Sequence, residues 1–573
     1  FIRIRWSLCF ASHKDDSMAD DQKRSGVELT KETSRQLRGG LAEELARDSD
    51  KFDEGDKNLL KFHGSYQQED RDARKARRGE GLGKFHMFMV RLKMPGGNIS
   101  AQQYLAMDDL AGRYANGTLR FTSRQGIQFH GILKRDLKAH IQGINAALLT
   151  TLGACGDVNR NVMSCPAPLP GPRDSMQQLA QAIAEHLTPR SRAYHEIWLD
   201  SKPLPDSGQE EEPIYGKVYL PRKFKIGIGL PEDNCVDVFA QDLAFLADVQ
   251  GGQVVGYDVL VGGGMGMTHS KPDTFPHLAK YICYVRPEQA VAMSEAVVKL
   301  FRDHGNRADR KRARIKYVVH DWGVEKFREV LARDYAGPLT PPKQLPVTGF
   351  DLHLGAHPMG QGRWFYGLRV ENGRVKDEAS MRLRTALRTI AQRFGMPMRL
   401  TPMQDVLLIG LSLSDIAEVE RLLEQHGVPR QVSKLRQHSM ACPAIPTCGL
   451  AISESERMLP GLLDQLEAKL HDLGLADEIL GLRVTGCPNG CVRPYQSDIG
   501  IVGRSGEKYV VYVGGRIQGD RLNFKLRDLV PRSEIVQTLE PLLRRFKAER
   551  QPRESFGEFC ARLGADAIVA TVS

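Results

Sequence analysis

The chain has 573 residues, 41% of them hydrophobic and 26% charged, with 80 Lys and Arg against 70 Asp and Glu. At ~150 residues per module this length suggests about four modules, and the composition excludes a disordered or fibrous chain. No apolar run approaches the ~18–20 residues of a membrane span, and the surplus of ten positive charges calls for an anionic counterpart: nucleic acid, an acidic protein, or an anionic cofactor and substrate.

The chain starts at Phe1, and its first methionine is Met18. Residues 1–17 carry Arg3 and Arg5, but the apolar stretch Trp6–Ala11 is too short for a signal segment. They read as an unstructured extension, residues 18–80 as an N-terminal arm, and a cytoplasmic location with mostly reduced cysteines is expected. Within the arm, the basic run Arg71–Arg78 reads as a polar linker or exposed helix.

An internal repeat follows. Arg120–Ile132 aligns with Arg399–Leu411 at an offset of 279, with Arg, Thr, Gln and Gly coinciding and apolar positions matching. Each copy follows a helix-like stretch, near 101–115 and 380–394, and ends in a β-rich run. Met163-Ser-Cys165-Pro-Ala167 repeats as Met440-Ala-Cys442-Pro-Ala444 at an offset of 277, which sets Gly171 where Cys448 stands. Half a ligand set cannot hold a cluster, so Cys165 reads as a structural remnant.

Further along, Pro166–Pro172, Pro203–Pro213 and Gly337–Pro346 mark boundaries. Val261-Gly-Gly-Gly-Met-Gly266 lacks dinucleotide spacing and reads as a tight turn or close backbone approach. The dense basic stretch Arg302–Lys316 reads as a solvated helix face. Gly449–Leu459, and then Leu462, Leu463, Leu466, Leu470 and Leu473, read as helices, while strands are expected around Val484 and Ile499–Val502. The result is a mixed α+β architecture.

The chemistry starts with four cysteines in two Gly/Pro-rich turns. Five residues separate Cys442 from Cys448, three separate Cys487 from Cys491, and 38 lie between the pairs. Four thiolates gathered this way suit a cubane iron–sulfur cluster, whose anionic charge the backbone N–H groups of such turns can face. Structural zinc is the alternative, although a five-residue gap is loose for it. A disulfide pair is the other alternative and would imply an oxidising compartment.

A second group is cationic. Arg91 precedes Pro95-Gly-Gly97, Arg120 and Arg124 flank Thr122, Arg160 sits between two asparagines, and Arg222 precedes Lys223 and Lys225. On a strand, Lys223 and Lys225 share one face. That pairing suggests a bound anion, with Arg suited to carboxylates and Lys to a compact oxyanion or proton delivery. With no Walker sequence and no recognisable flavin or nicotinamide domain, electrons must come from another protein.

Thr447-Cys-Gly-Leu-Ala451, Glu454-x-Glu-Arg457 and Gly486-Cys-Pro-Asn-Gly-Cys491 closely resemble the sirohaem-containing sulfite and nitrite reductases. The similarity runs from about Arg35 to Phe556 and includes Lys61-Phe-His-Gly-Ser-Tyr-Gln-Gln68 and Asp157-Val-Asn-Arg-Asn161. It implies an α+β fold built on a duplicated module, with two ferredoxin-like halves plus two related larger α+β domains. The corresponding segments are 81–150 and 346–430 for the halves, 151–345 for a first sirohaem and substrate domain with a degenerate cluster motif, and 431–573 for the cluster domain.

The resemblance implies that Cys442, Cys448, Cys487 and Cys491 hold a 4Fe-4S cluster and that Cys491 is also the axial ligand of sirohaem iron. Sirohaem carries eight carboxylates, which gives the positive surplus a purpose. Arg120, Arg124, Gln128, His130, Gln404 and Asn489 match family positions around the macrocycle, and Arg91, Arg160, Lys223 and Lys225 match those binding the substrate oxyanion. The implied activity is six-electron reduction of sulfite, with nitrite as the parallel substrate.

Ferredoxin is the favoured donor, because Thr151–Asp157, Glu212–Gly216, Val261–Gly266 and Arg493-Pro-Tyr495 look more like that branch than the one served by an NADPH-dependent flavoprotein subunit. A non-enzymatic iron–sulfur or zinc protein that binds nucleic acid is the reading from another class. It leaves the Lys223/Lys225 pair and the whole-chain resemblance unexplained.

Overall fold

A computed structural model describes residues 24–190, the short strands Trp198–Leu199 and Lys202–Pro203, and residues 212–572. The expected extension at residues 1–17 lies outside the described residues, as does most of the boundary at 203–213.

Four five-stranded sheets dominate, in two matching pairs. The first small sheet runs in the order Ser65–Glu69, His86–Arg91, Ile127–Ile132, Leu119–Phe121, Arg374–Val375. The second runs Gly355–Gly360, Arg363–Leu368, Val406–Leu411, Met398–Leu400, Asn98–Ile99. Each therefore takes its last strand from the other half: Arg374 pairs with Arg120, and Ile99 with Met398. This exchange interlocks the halves. A single apolar core spans both and includes Phe88, Phe129, Leu387 and Leu408. The first sheet also recruits Ser65–Glu69 from the stretch expected to be an arm.

Helices Ala101–Tyr114 and Leu413–Gln425 start where Ser100 and Ser412 form capping boxes with Gln103 and Asp415. Helix Leu383–Phe394 buries Leu383, Leu387, Ile390 and Ala391 as one stripe and stops at Gly395 in the left-handed region. The repeat also survives in backbone shape. Gln125 and Gln404 are both non-glycine residues with positive φ, 53° and 73°, and each closes a tight turn between strands.

The larger sheets share one topology, in which two parallel pairings precede two antiparallel ones. The first contains Asn159–Ser164, Phe224–Gly229, Leu243–Gln250, Gln253–Val261 and Lys280–Val285. The second contains Ser439–Ala441, Leu482–Thr485, Ile499–Ser505, Lys508–Val513 and Phe524–Pro531. Register gives the equivalence residue by residue. Ser164 pairs with Ile228 and Ile228 with Phe245; Ala441 pairs with Val484 and Val484 with Ile501. The central strands are therefore offset by 256, which makes Cys235 the counterpart of Cys491 and Pro231 that of Cys487.

Two expectations need correction. Residues 449–458 are loop, and the helix starts only at Leu459 and runs to Asp472. Backbone bonds to the second cysteine turn hold that loop, with Ile452 and Ser453 N–H both donating to Gly486 O. The basic stretch Arg302–Lys316 is no solvated helix face, because residues 305–314 connect two helices. Its cations are paired: Arg307 with Glu28, Arg310 with Asp157, Arg312 with Asp321 and Arg314 with Asp242. Buried Lys316 donates to the carbonyls of Gly264, Gly266 and Phe275.

Candidate active site

Parallel pairing sets two cysteine turns side by side. Cys442 follows strand Ser439–Ala441 and Cys487 follows Leu482–Thr485, so both turns leave the same sheet edge. Gly486 N–H donates to Cys442 Sγ at 3.3 Å, and Asn489 Nδ2 donates to Cys487 Sγ at 3.5 Å. A Cβ at Gly486 would lie 2.4 Å from Ser453 O, so only glycine admits the loop from Cys448 against this turn. That loop is also tied by Arg71, whose guanidinium donates to Cys448 O at 3.3 Å and Ala451 O at 2.6 Å. The basic run that reads as an exposed helix does contain one, Arg74–Gly79, but Arg71 before it braces a cysteine loop.

All four cysteines are free. Burial pushes the thiols of Cys442, Cys448 and Cys487 upward, and the neighbouring Cys491 pushes them further. Such a set ionises only when a cation shares the site. No three of these sulfurs close to within 4.8 Å of one another, too open for one tetrahedral ion and in keeping with a larger cluster.

Cys442, Cys448 and Cys491 line a cavity of about 650 Å³ between the first ferredoxin-like half, the first larger domain and the cysteine turns. Thirteen Lys and Arg side chains line it, against two acids, Glu69 and Asp157. The sequence-derived residues converge here: Arg91, Arg120, Arg124, Gln128 and His130 from the first half, Arg160, Lys223 and Lys225 from the first larger domain, Gln404 from the second half, and Asn489 beside Cys491.

The cations are held in different ways. Arg91 donates to Cys155 Sγ at 3.1 Å, faces the side-chain oxygen of Gln128, and lies 5.9 Å over the Tyr66 ring. Arg160 is anchored to Gly156 O at 2.8 Å, and Arg124 to Gln241 Oε1 at 2.8 Å and to Asn161 O. Arg120 is different. It pairs with Glu456 at 2.5 Å and donates to Ala441 O at 2.8 Å, while Gln404 Nε2 donates to the same carbonyl at 3.1 Å. Arg374 shares Glu456 at 2.7 Å, and the two guanidinium groups hold its carboxylate down to about 2 against burial. Both halves therefore grip the residue before Cys442.

Lys223 and Lys225 ammonium groups have no hydrogen-bond or ion-pair partner among the described residues. Burial and neighbouring cations push Lys223 down to about 7, and burial beside Lys223 pushes Lys225 well below its ordinary value. Buried His130 is pushed down as well, and its Nδ1 lacks a partner, as do Arg124 Nε and Gln404 Oε1. Unsatisfied polar atoms and crowded like charges suit this cavity to a large anion. The residues fit sirohaem in the cavity and a 4Fe-4S cluster on the four cysteines.

Some lining residues were not singled out from sequence as site groups. Lys61, Tyr66, Gln241, Arg310 and Arg493 all reach the cavity. Lys61 and Tyr66 lie inside the Lys61–Gln68 motif, a usable signal for both. Arg493 pairs with Asp237, its own counterpart at offset 256. The glycine run at 262–266 packs against the cluster turn. A Cβ at Gly263 would fall 2.3 Å from Phe239 O, and Met267 N–H donates to Pro488 O at 2.9 Å.

Known proteins match along the whole chain. The nitrite and sulphite reductase 4Fe-4S domain matches residues 179–339 and 438–573, and the nitrite/sulfite reductase ferredoxin-like half domain matches 83–147 and 357–426. A sulfite reductase (NADPH) hemoprotein beta-component from Chromohalobacter salexigens is 44% identical, covering 94% of this chain and 95% of its own. A sulfite reductase (ferredoxin) from Synechococcus elongatus is 43% identical, covering 96% and 91%. In structure, the Mycobacterium tuberculosis NirA protein superposes with a TM-score of 0.77 at 24% identity, covering 95% and 98%, which supports the fold. Duplicated sheets, two ferredoxin-like halves and the four-cysteine domain thus agree with these matches, and the chain belongs to the nitrite and sulfite reductase family.

Proposed function

We propose that this chain reduces sulfite to sulfide, with Arg91, Arg160, Lys223 and Lys225 as the substrate-binding and proton-supplying groups. The observation that carries this reading is the pair of unpartnered ammonium groups on the cavity that Cys491 also lines. When bound, the sirohaem and the cluster supply electrons one at a time and an iron centre for the sulfur atom.

The protein's own part is electrostatic. A sulfite dianion takes up six electrons and seven protons to give hydrosulfide and three waters, so each oxygen must leave protonated. Arg91 and Arg160, fixed by Cys155 and Gly156, orient the oxyanion. Lys223, pushed to about 7, stands ready to give up a proton and be recharged from water. Tyr66 beside Arg91 narrows that face of the cavity. Arg120 acts at one remove, through Ala441 and Glu456, to fix the Cys442 turn.

Ferredoxin remains our preferred donor, since a chain with ten surplus positive charges suits an acidic partner. The name of the Chromohalobacter relative favours the second reading, a flavoprotein subunit. Among the described residues no helix is long and apolar enough to cross a membrane.

The test is a steady-state comparison of sulfite and nitrite with reduced methyl viologen, then with ferredoxin and with an NADPH-flavoprotein donor. Higher kcat/KM for sulfite supports the substrate assignment, and a preference for nitrite or failure to form sulfide overturns it. With ferredoxin, apparent affinity weakens as salt rises from ~0.05 to ~0.3 M. A flavin-containing subunit that stays bound through high salt would replace ferredoxin as the donor.

A further inference from the structure

Cys165 is not the partnerless remnant that its sequence suggests. The exchanged Gly171 and Pro231 remove two thiols from this copy, yet Cys165 and Cys235 remain and meet Asp233 and His353. One ligand atom from each of these four residues lies within 4.8 Å of the other three, and all four residues are buried. Cys165 Sγ lies 2.9 Å from Asp233 Oδ2 and 3.7 Å from His353 Nε2, and His353 Nε2 lies 3.1 Å from Asp233 Oδ2. Ligand–ligand edges around tetrahedral zinc are ~3.3–3.8 Å, as follows from bonds of ~2.0–2.3 Å.

We propose that this cluster is a structural zinc site, closed by two sulfurs, one carboxylate oxygen and one imidazole nitrogen. The ligands suit a borderline-soft divalent ion, and four protein ligands leave no open position for substrate. A second observation lies behind the first. His353 Nδ1 is 3.5 Å from Asp351 Oδ2, and Asp351 Oδ1 accepts the His353 backbone N–H at 2.8 Å. A carboxylate behind a histidine is the usual outer support of a zinc-bound imidazole and fixes which ring nitrogen faces the metal.

Charge also balances. Binding displaces protons from the thiols and the imidazole, and two thiolates, one carboxylate, a neutral imidazole and a divalent cation leave a single negative charge. Arg173, 3.5 Å from Asp233 Oδ2, offsets it. Arg399 also lies near enough to feel Cys165. Both cysteines are reduced, so neither is taken by a disulfide. The position is the duplicate of the cluster site: one thiol survives on each turn, and an acid and a histidine complete the set.

The experiment uses the holoenzyme from zinc-supplemented medium, washed with chelator and passed through gel filtration. About one zinc per chain is expected beside a full complement of iron. Zinc K-edge absorption should show ~2 sulfurs at ~2.3 Å and ~2 lighter ligands at ~2.0–2.1 Å. Cys235→Ser should lower zinc at least tenfold while iron, acid-labile sulfide and the Soret band stay unchanged. Zinc-free wild-type protein, unchanged zinc in Cys235→Ser, or a Cys165–Cys235 disulfide on peptide mapping would each overturn the site. So would a four-sulfur zinc shell, which would place the metal on Cys442–Cys491. The absorption measurement needs no variant, so misfolding of Cys235→Ser leaves the proposal decidable.

Discussion

Ser164 and Ala441 end matching strands, and a matching glutamine holds each carbonyl. Gln125 Nε2 donates to Ser164 O at 2.9 Å, and Gln404 Nε2 donates to Ala441 O at 3.1 Å. Beyond those residues the two regions part. In the first, Gln125 spends its whole amide internally, giving also to Gly96 and Leu400 carbonyls and accepting from Ser164 N–H. In the second, Gln404 Oε1 is left without a partner, and the next turn carries two thiols instead of one. The comparison shows that one scaffold leaves the matching glutamine amide fully bonded or half bonded, depending on a few turn residues.

The largest test of that contrast is at the thiols. Cys491→Ser should abolish turnover and remove the cluster or its coupling to the haem. Cys165→Ser in the matching turn should leave iron, acid-labile sulfide and sirohaem absorbance at wild-type levels. Loss of the cluster in Cys165→Ser would erase the distinction between the two regions.

Next in size is the buried charge triad found only on the cluster side. Glu456 neutralises Arg120 and Arg374, whereas the counterpart of Arg120, Arg399, donates to Asn98 Oδ1 and Pro166 O. Glu456→Gln leaves two guanidinium groups uncompensated, which should cost about 3–5 kcal/mol. Asn98→Ala on the other side removes an exposed neutral partner and should cost ~1 kcal/mol. Denaturant unfolding of the holoenzymes compares them, and equal losses would deny the triad its special role.

The lysines come third. Counterparts of Lys223 and Lys225 at offset 256 are Ile479 and Gly481, so the cationic pair belongs to one copy alone. Lys225→Met should lower turnover with sulfite by ~10²–10³ while sirohaem stays bound. Full occupancy with unchanged turnover sinks the catalytic assignment, and a pale, sirohaem-poor protein would move both lysines to cofactor binding.

Much of this was legible because the informative residues sit in short, odd strings. The two cysteine turns, the Arg120–Ile132 repeat and the Lys223/Lys225 pair each lie within a few positions, where spacing alone limits the geometry. Cys235 was missed because 21 more residues separate it from Cys165 than separate Cys491 from Cys442, so a fixed repeat offset passes over it. The basic stretch 302–316 misled for a related reason. Its neutralising partners, Glu28, Asp157 and Asp242, come from distant segments, and local charge counting cannot see them. At 449–458 an apolar pattern suggested a helix, but the backbone there is committed to Gly486 and Arg71.

The smallest effect separates the regions most finely. Gln125→Ala and Gln404→Ala each remove a donor from a buried carbonyl, and each should destabilise the protein by ~1–3 kcal/mol. Gln125→Ala sits at the larger end, because four hydrogen bonds, to three carbonyls and from one N–H, are lost together. Its effect should stop at stability, with the Soret band and cluster signal of the folded protein unchanged. Gln404→Ala should cost less stability, since Arg120 still grips Ala441 O. It should nevertheless shift the haem and cluster spectra, because the Cys442 turn loses one of its two clamps and the cavity loses a polar wall. Midpoints of unfolding set beside the absorption and low-temperature resonance spectra of the same samples decide the matter. A spectral change in Gln125→Ala with none in Gln404→Ala would reverse which glutamine bears on the cofactors.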